Sequence, residues 1–342
     1  MENWRQQFRV DPIPPLLSSA DEALQYFARR DLLGEQVGSV QRLWSLPAAQ
    51  RILRKQQADG SWPRPGKHEH LAINYHLIET WRQLRFLVEQ YGFTRESPSA
   101  ARAAEFVFSC QTDEGDIRGM LANQYMTYYT GALMALLIQA GYGDDPRIGR
   151  GFQWLLAMRQ NDGAWSVPLI THKLDRETQY RLTSEYAEPI QPDRSKPFSH
   201  NATGMILRAF AVHPRYRQTA EARAVANLLK SRFFQPDCHT SYQAANYWVR
   251  FDYPFWWNNL VVALDSVSLI GLSRDDKQME QALQWLVGHQ EESGLWQVSY
   301  SLEAGPGTAV QAQERLSAAA KAREVKSWIS LAICRIFRRL YG

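Results

Sequence analysis

Asp265 lies inside the apolar run Val261-Val262-Ala263-Leu264-Asp265-Ser266-Val267-Ser268-Leu269. A carboxylate there is costly unless it is paired or protonated. One reading is a general acid with a raised pKa, facing a cavity, with Asn258 seven residues back on the same helix face. The other is a structural acid hydrogen-bonded to a neighbouring helix or loop. The second carries more weight, because structural networks also bury acids. Asp116 and His200 are the other candidates for proton transfer, and His76 and Glu79 invite the same question more weakly. Asp116-Ile117-Arg118-Gly119 precedes Asn123-Gln124-Tyr125-Met126-Thr127-Tyr128-Tyr129, Phe198-Ser199-His200-Asn201 opens another helical stretch, and Asp252 to Asn259 opens a third. Aromatics clustered beside a few polar groups suit a ligand pocket, with Tyr125, Tyr128, Tyr129, Asn201, Trp256, Trp257 and Asn258 as lining. Their π-faces could stabilise a cation. The competing explanation is core packing, with Ser199 or Asn201 capping a helix.

The elements that must position these residues come from a repeat. Gln57-Ala58-Asp59-Gly60-Ser61-Trp62 recurs as Gln160-Asn161-Asp162-Gly163-Ala164-Trp165 and, weakened, between Gln290 and Trp296. Gln111-Thr112-Asp113-Glu114-Gly115 lacks the Trp, and Gln235-Pro236-Asp237 is the remnant of a fifth copy. Each copy closes an amphipathic helix. Asp145-Pro146 and Ser97-Pro98 are N-cap and first-turn pairs, and Ser273 with Asp276 resembles a capping box. The motif glycine suits a helix stop, and the Trp can cover the helix end. A more apolar helix follows each copy, in Leu71–Tyr91, Gln124–Tyr142, His200–Val212, Phe255–Ile270 and Val325–Leu340. The run Gly131 to Ile138 is apolar on every side, as a fully buried helix is. A further helix is expected over Asp21–Leu33. No segment alternates as regularly spaced strands do.

Gln57/Gly60/Trp62, Gln160/Gly163/Trp165 and Gln290/Gly294/Trp296 resemble the QW motifs of squalene and hopene cyclases and their relatives among terpenoid cyclases and protein prenyltransferases. The resemblance runs from about residue 46 to the end. It implies an all-α fold, an α/α toroid of five to six outer and inner helix pairs, with these Gln and Trp residues as staples. It further implies an isoprenoid ligand in a central cavity. The family's chemical motifs are missing. The Asp-x-Asp-Asp acid of class II cyclases is absent, and Asp144-Asp145 and Asp275-Asp276 lack the last acid of a diphosphate-binding Asp-Asp-x-x-Asp. The prenyltransferase zinc set fails too: Asp237 and Cys238 are adjacent, and Lys326 and Ser327 stand where a His is expected. His239 is a poor replacement. His68-Glu69-His70 reads as a solvated turn, so no metal and no cofactor is expected.

A chain of 342 residues, 45% of them hydrophobic, can bury a large core. Its net charge of +4 shows no dense basic stripe, and Arg29-Arg30 and Arg338-Arg339 read as solvated helix faces, so no nucleic-acid partner is expected. Three distant cysteines suit a reducing cytoplasm. No apolar run is long enough to span a bilayer, though a peripheral membrane contact stays open. Residues 1–45 form an extension and a helix packing on a toroid domain, 46–342. Insertions at 166–197 and 297–323 are candidates for lids, with an Ala-rich helical stretch in the second. Three functions remain: an apolar-ligand toroid, with or without cyclase chemistry; a non-catalytic scaffold; and a carbohydrate-active barrel with paired acids and aromatic platforms. The oligomeric state is left open.

Overall fold

The computed structural model describes residues 4–68, 70–302 and 316–342. In chain order the helices are α1 (Ile13–Leu17), α2 (Glu22–Ala28), α3 (Pro47–Leu53), α4 (Tyr75–Arg85), α5 (Pro98–Ser109), α6 (Thr127–Leu137), α7 (Pro146–Ala157), α8 (Arg176–Ser184), α9 (His200–Val212), α10 (Ala220–Lys230), α11 (Leu260–Ile270), α12 (Lys277–Gly288) and α13 (Leu316–Tyr341). One short strand, β1 (Met120–Asn123), stands between α5 and α6. Apart from that strand the regular elements among the described residues are helices, as expected. Two compact units are present. The first holds Met1–Ser39, Ala226–Pro236 and Tyr242–Gly342, and the second Val40–Val225 and Asp237–Ser241. Each shows the alternation of amphipathic and buried helices expected of α/α-toroid repeats.

The helix starts follow from local sequence. Ser97 accepts from the Ala100 N–H to open α5, and Asp145 from the Arg147 N–H to open α7. Asp21 caps α2 through Ala23 and Leu24, within the span expected for an N-terminal helix. The capping box at Ser273 is corrected: Asp276 itself is the N-cap of α12, while the Ser273 hydroxyl bonds Asp275.

The repeated motif performs one mechanical task several times. Gln56 Nε2 donates to Gly60 O at 3.0 Å and to Ser99 O, in the first turn of α5, at 2.8 Å. Gln111 does the same with Gly115 O and with Arg147 O of α7, and Gln290 with Gly294 O and Val10 O. Each glutamine thus ties the end of one amphipathic helix to the next covering segment. In the first copy the tying residue is Gln56, not the Gln57 that the match with Gln160 selects; Gln57 accepts from the Ser61 hydroxyl instead. Gln160 turns to Asp193 O and Lys196 O, inside the 166–197 insertion.

The motif glycine is fixed by two constraints at once. Gly60 and Gly115 sit at φ of +91° and +110°, and a Cβ would lie 2.2 Å from Arg102 O or 2.7 Å from Arg150 O. No other residue combines that conformation with that approach. The tryptophan indoles then close the helix ends. Trp62, Trp165 and Trp296 donate Nε1–H to carbonyls ten residues earlier, on Ile52, Leu155 and Leu286. In the degraded fifth copy Trp248 takes this role, donating to Gln235 O at 3.0 Å.

Of the buried helices, α6 has only Tyr129 above full burial, and α9 only Val212. They pack closely because Gly131 leaves room: a Cβ there would stand 2.6 Å from Ile206 Cα. In the same unit Arg208 of α9 forms a buried ion pair with Glu89, in the π-helical turn after α4. The 166–197 insertion contains α8 and is latched to the end of β1. Asn123 Nδ2 donates to Ala187 O at 2.5 Å, its Oδ1 accepts from Ala187 N–H at 3.0 Å, and Gln124 Oε1 accepts from Ile190 N–H at 3.0 Å. The Ala-rich end of the second insertion is the start of α13, which continues into the buried helix expected at 325–340. Residues 303–315 of that insertion, and Glu69, lie outside the described residues. No helix among the described residues is long and apolar enough to cross a membrane.

Candidate functional site

Asp265 stands part-exposed on α11, and its Oδ1 accepts from Arg339 Nη2 at 3.1 Å. Arg339 also donates to Asp265 O and to the Ser268 hydroxyl. The structural-acid alternative, a carboxylate bonded to a neighbouring helix, describes this position. The run around Asp265 is buried while the carboxylate itself turns to α13.

Asp116 is 0% exposed and sits just past the positive-φ Gly115. Its oxygens accept from Arg118 Nε at 2.8 Å and Nη2 at 2.9 Å, and from the Thr112 hydroxyl. Arg118 also reaches Glu114 Oε1 at 2.7 Å and lies 4.7 Å from the centre of the Tyr125 ring. Tyr125 donates its hydroxyl to Glu114 Oε2 at 2.8 Å and accepts from Gln191 Nε2 at 3.2 Å. Burial, then the bond to Glu114, pushes the Tyr125 phenol above its ordinary pKa, so it keeps its proton. Burial opposes the charge on Arg118, but Asp116 and Glu114 outweigh it and hold the guanidinium charged. This cluster is built to fix a cation and a neutral phenol in place, and Asp116 is its anchor.

His200 and Asn201 open α9. Their backbone N–H groups both donate to Asp237, at 3.0 Å each, and Asp237 also accepts from the Ser199 hydroxyl at 2.8 Å and the Cys238 N–H at 2.8 Å. An anion over four donors at a helix N-terminus is what the helix dipole favours. The Asp237 carboxylate is thereby occupied. The His200 ring is 1% exposed, with Nδ1 3.8 Å from Asp237 Oδ2. His239 Nδ1 lies 3.3 Å from Ile170 O. Among the described residues no group of three or more His, Cys, Asp or Glu is placed to hold a metal. His68 stacks on Tyr75 and bonds Arg64 O, and His70 bonds the Tyr180 hydroxyl. His76 Nδ1 lies 3.2 Å from the Ser61 hydroxyl, and Glu79 pairs with Arg82 at 3.5 Å.

The aromatic candidates divide. In the second unit Tyr128 and Tyr129 are stacked obliquely at 4.4 Å, and Tyr129 meets Trp81 edge-on at 5.1 Å. In the first unit Trp256 and Trp257, at 6.0 Å, continue into Tyr242 at 4.6 Å and Tyr247 at 5.0 Å. All four of these rings are part-exposed, whereas Asn258 is buried. Sequence reasoning missed Tyr242 and Tyr247; their closeness to the Trp pair in the chain was the available signal. It also missed an open groove of about 420 Å³ in the second unit, lined by Leu71, Asn74, Arg118, Asn123 and Tyr186 among others. Leu71 is 97% exposed, Tyr186 75% and nearby Tyr180 60%.

No family model and no curated protein matches the chain. Among solved structures it is similar to a protein from Actinoplanes, at 17% identity and TM-score 0.45 over 89% of this chain and 88% of that one. It is similar to a polysaccharide lyase at 13% identity and TM-score 0.42, over 87% and 86% of the two chains. A complex of type II terpene cyclase MstE from Scytonema with merosterolic acid A gives 12% identity and TM-score 0.43, over 98% and 86%.

Proposed function

We propose that the chain is a helical-repeat binder of an apolar, isoprenoid-type ligand, held against the Tyr242, Tyr247, Trp256 and Trp257 rings of the first unit. One observation carries this reading: four rings joined by three successive contacts lie on a face that keeps water-accessible edges. The packing tryptophans of the repeat, such as Trp62, Trp165 and Trp296, are at most 1% exposed. Rings left open to water cost free energy that a bound apolar ligand recovers. The reading includes no acid-initiated cyclisation, because Asp265 is committed to Arg339.

The test is tryptophan fluorescence during titration with a polyene alcohol, beside mass spectrometry of small molecules extracted from the native protein. Saturable quenching lost in Trp257→Ala supports the reading. Quenching that is absent, or unchanged in that variant, defeats it.

A second reading, carbohydrate binding, has its own support in the groove of the second unit. An exposed tyrosine beside Asn74 and Arg118 can stack on a sugar ring while polar groups meet its hydroxyls. Binding of oligosaccharides that is lost in Tyr186→Ala, with Trp257→Ala unaffected, would favour it. Neutral glycosidase chemistry lacks support there, since Asp116 is tied to Arg118 on both oxygens.

A further inference from the structure

The two arginine pairs that read as solvated helix faces contribute to one place. In the first unit an open groove of about 560 Å³ is lined by Arg30, Asp31, Arg335, Arg338 and Arg339. Asp31 is saturated by two of the four: Oδ1 accepts from Arg30 Nε at 2.5 Å, and Oδ2 from Arg335 Nε at 2.8 Å and Nη2 at 2.5 Å. Burial works to raise the Asp31 pKa, but the charge of Arg335 and the bonds and charge of Arg30 overcome it, so the carboxylate stays ionised. Among the described residues the Arg338 guanidinium donates only to the Asp31 carbonyl. Arg339 has its own carboxylate, Asp265.

Stapling α13 to the segment after α2 would need one arginine on Asp31. The groove has four guanidiniums against Asp31 and Asp265, a surplus of two positive charges. The helix dipole rewards Arg338 and Arg339 in the last turn of α13, but it gives no reason for Arg30 to join them. A guanidinium has five N–H donors, and Arg30 uses one and Arg338 one of its set on protein acceptors among the described residues. The unspent donors are concentrated where like charges are crowded. Such a surplus is neutralised by a tetrahedral oxyanion, which accepts from several planar guanidiniums at once.

We propose that this groove is an anion site for a phosphate or phosphate-ester group carrying two or more negative charges. The site is separate from the aromatic face proposed for the apolar ligand and does not rest on it. The phosphate can come from a free compound or from the headgroup of an anionic lipid.

Calorimetric titration with inorganic pyrophosphate at low ionic strength tests the free source. Co-sedimentation with phosphatidylcholine vesicles, with and without phosphatidic acid, tests the headgroup. Both are repeated with Arg338→Gln, with Arg30→Gln and with Arg29→Gln, whose guanidinium pairs with Glu35. The expected result is salt-sensitive binding in at least one arm, weakened roughly tenfold by Arg338→Gln or Arg30→Gln, about 1.4 kcal/mol, and unchanged by Arg29→Gln. Circular dichroism melts establish that each variant is folded; if Arg338→Gln is not, Arg30→Gln, at an exposed position, decides alone. Absence of binding in both arms, or equal binding by wild type and folded Arg30→Gln, overturns the proposal.

Discussion

The backbone N–H of Trp165 donates to the hydroxyl of Thr203, 38 residues further on, at 3.1 Å. The same bond recurs from Trp62 to Thr80, from Trp296 to Ser330, and from Ile117 to Thr130 in the copy that has lost its tryptophan. Each hydroxyl lies on a buried helix following the motif, so the motif ties helices on both sides: its glutamine reaches a covering segment and its Gly+2 N–H reaches the core. All of the atoms are buried, and an orphaned N–H there pays its full desolvation cost. Thr203→Val is therefore expected to lower the unfolding free energy by about 1–3 kcal/mol, and Thr203→Ser by less. Urea denaturation of the three proteins checks this; an unchanged midpoint in Thr203→Val would remove the bond from the list of supports.

What could be read from the sequence was local. The caps Asp145 and Ser97 act within three residues, and Gln, Gly and Trp recur within one turn of chain, so all were visible as spacing. The hydroxyl partners were not, because insertions vary the distance from motif to partner from 13 residues at Thr130 to 38 at Thr203. Gln57 looked like the tying glutamine because it matches Gln160, three residues before the glycine, whereas the tie to the glycine carbonyl comes from four residues before it, in Gln56 as in Gln111 and Gln290. Asp265 looked anomalous only while its partner, 74 residues away in Arg339, was unseen. The groove around Leu71 and Tyr186 joins segments more than a hundred residues apart, and neither carries a motif.

Asp265→Asn separates a structural from a catalytic acid. The pair with Arg339 is part-exposed on both sides and screened by solvent, so its loss is expected to cost no more than about 1 kcal/mol. Ligand uptake at the aromatic face should be unchanged. A conversion of a polyene by the wild type that disappears in Asp265→Asn would return Asp265 to the role of proton donor.

Acid should weaken the fold partly through Asp145. Hydrogen bonds from Arg147 hold its carboxyl below the usual aspartate pKa; burial opposes them, and the Arg147 backbone N–H and charge add to them. A group with a depressed folded pKa contributes stability above its unfolded pKa and loses it as pH falls through the folded value. Asp145→Asn should accordingly reduce stability at neutral pH and flatten the decline seen below the ordinary aspartate pKa. Denaturant midpoints of both proteins across the acid range test the sign; parallel curves would mean that Asp145 is not a linked group.

The latch at Asn123 gives the last test. Its amide makes two bonds to Ala187, and Gln124 beside it makes three, to Ala187 O, Glu188 O and the Ile190 N–H, so five hydrogen bonds fasten the 166–197 insertion at the end of β1. Removing the Asn123 pair leaves the Asp237 cap of α9 and the motif bonds of Trp165 untouched. Asn123→Ala is thus expected to loosen the insertion locally rather than unfold the unit, since local opening can cost far less than global unfolding. Hydrogen exchange should show faster exchange at Ala187 and Ile190, with protection in α6 and α9 retained. If protection in α6 falls in step with that at Ala187, the insertion is part of the cooperative core and cannot serve as a lid.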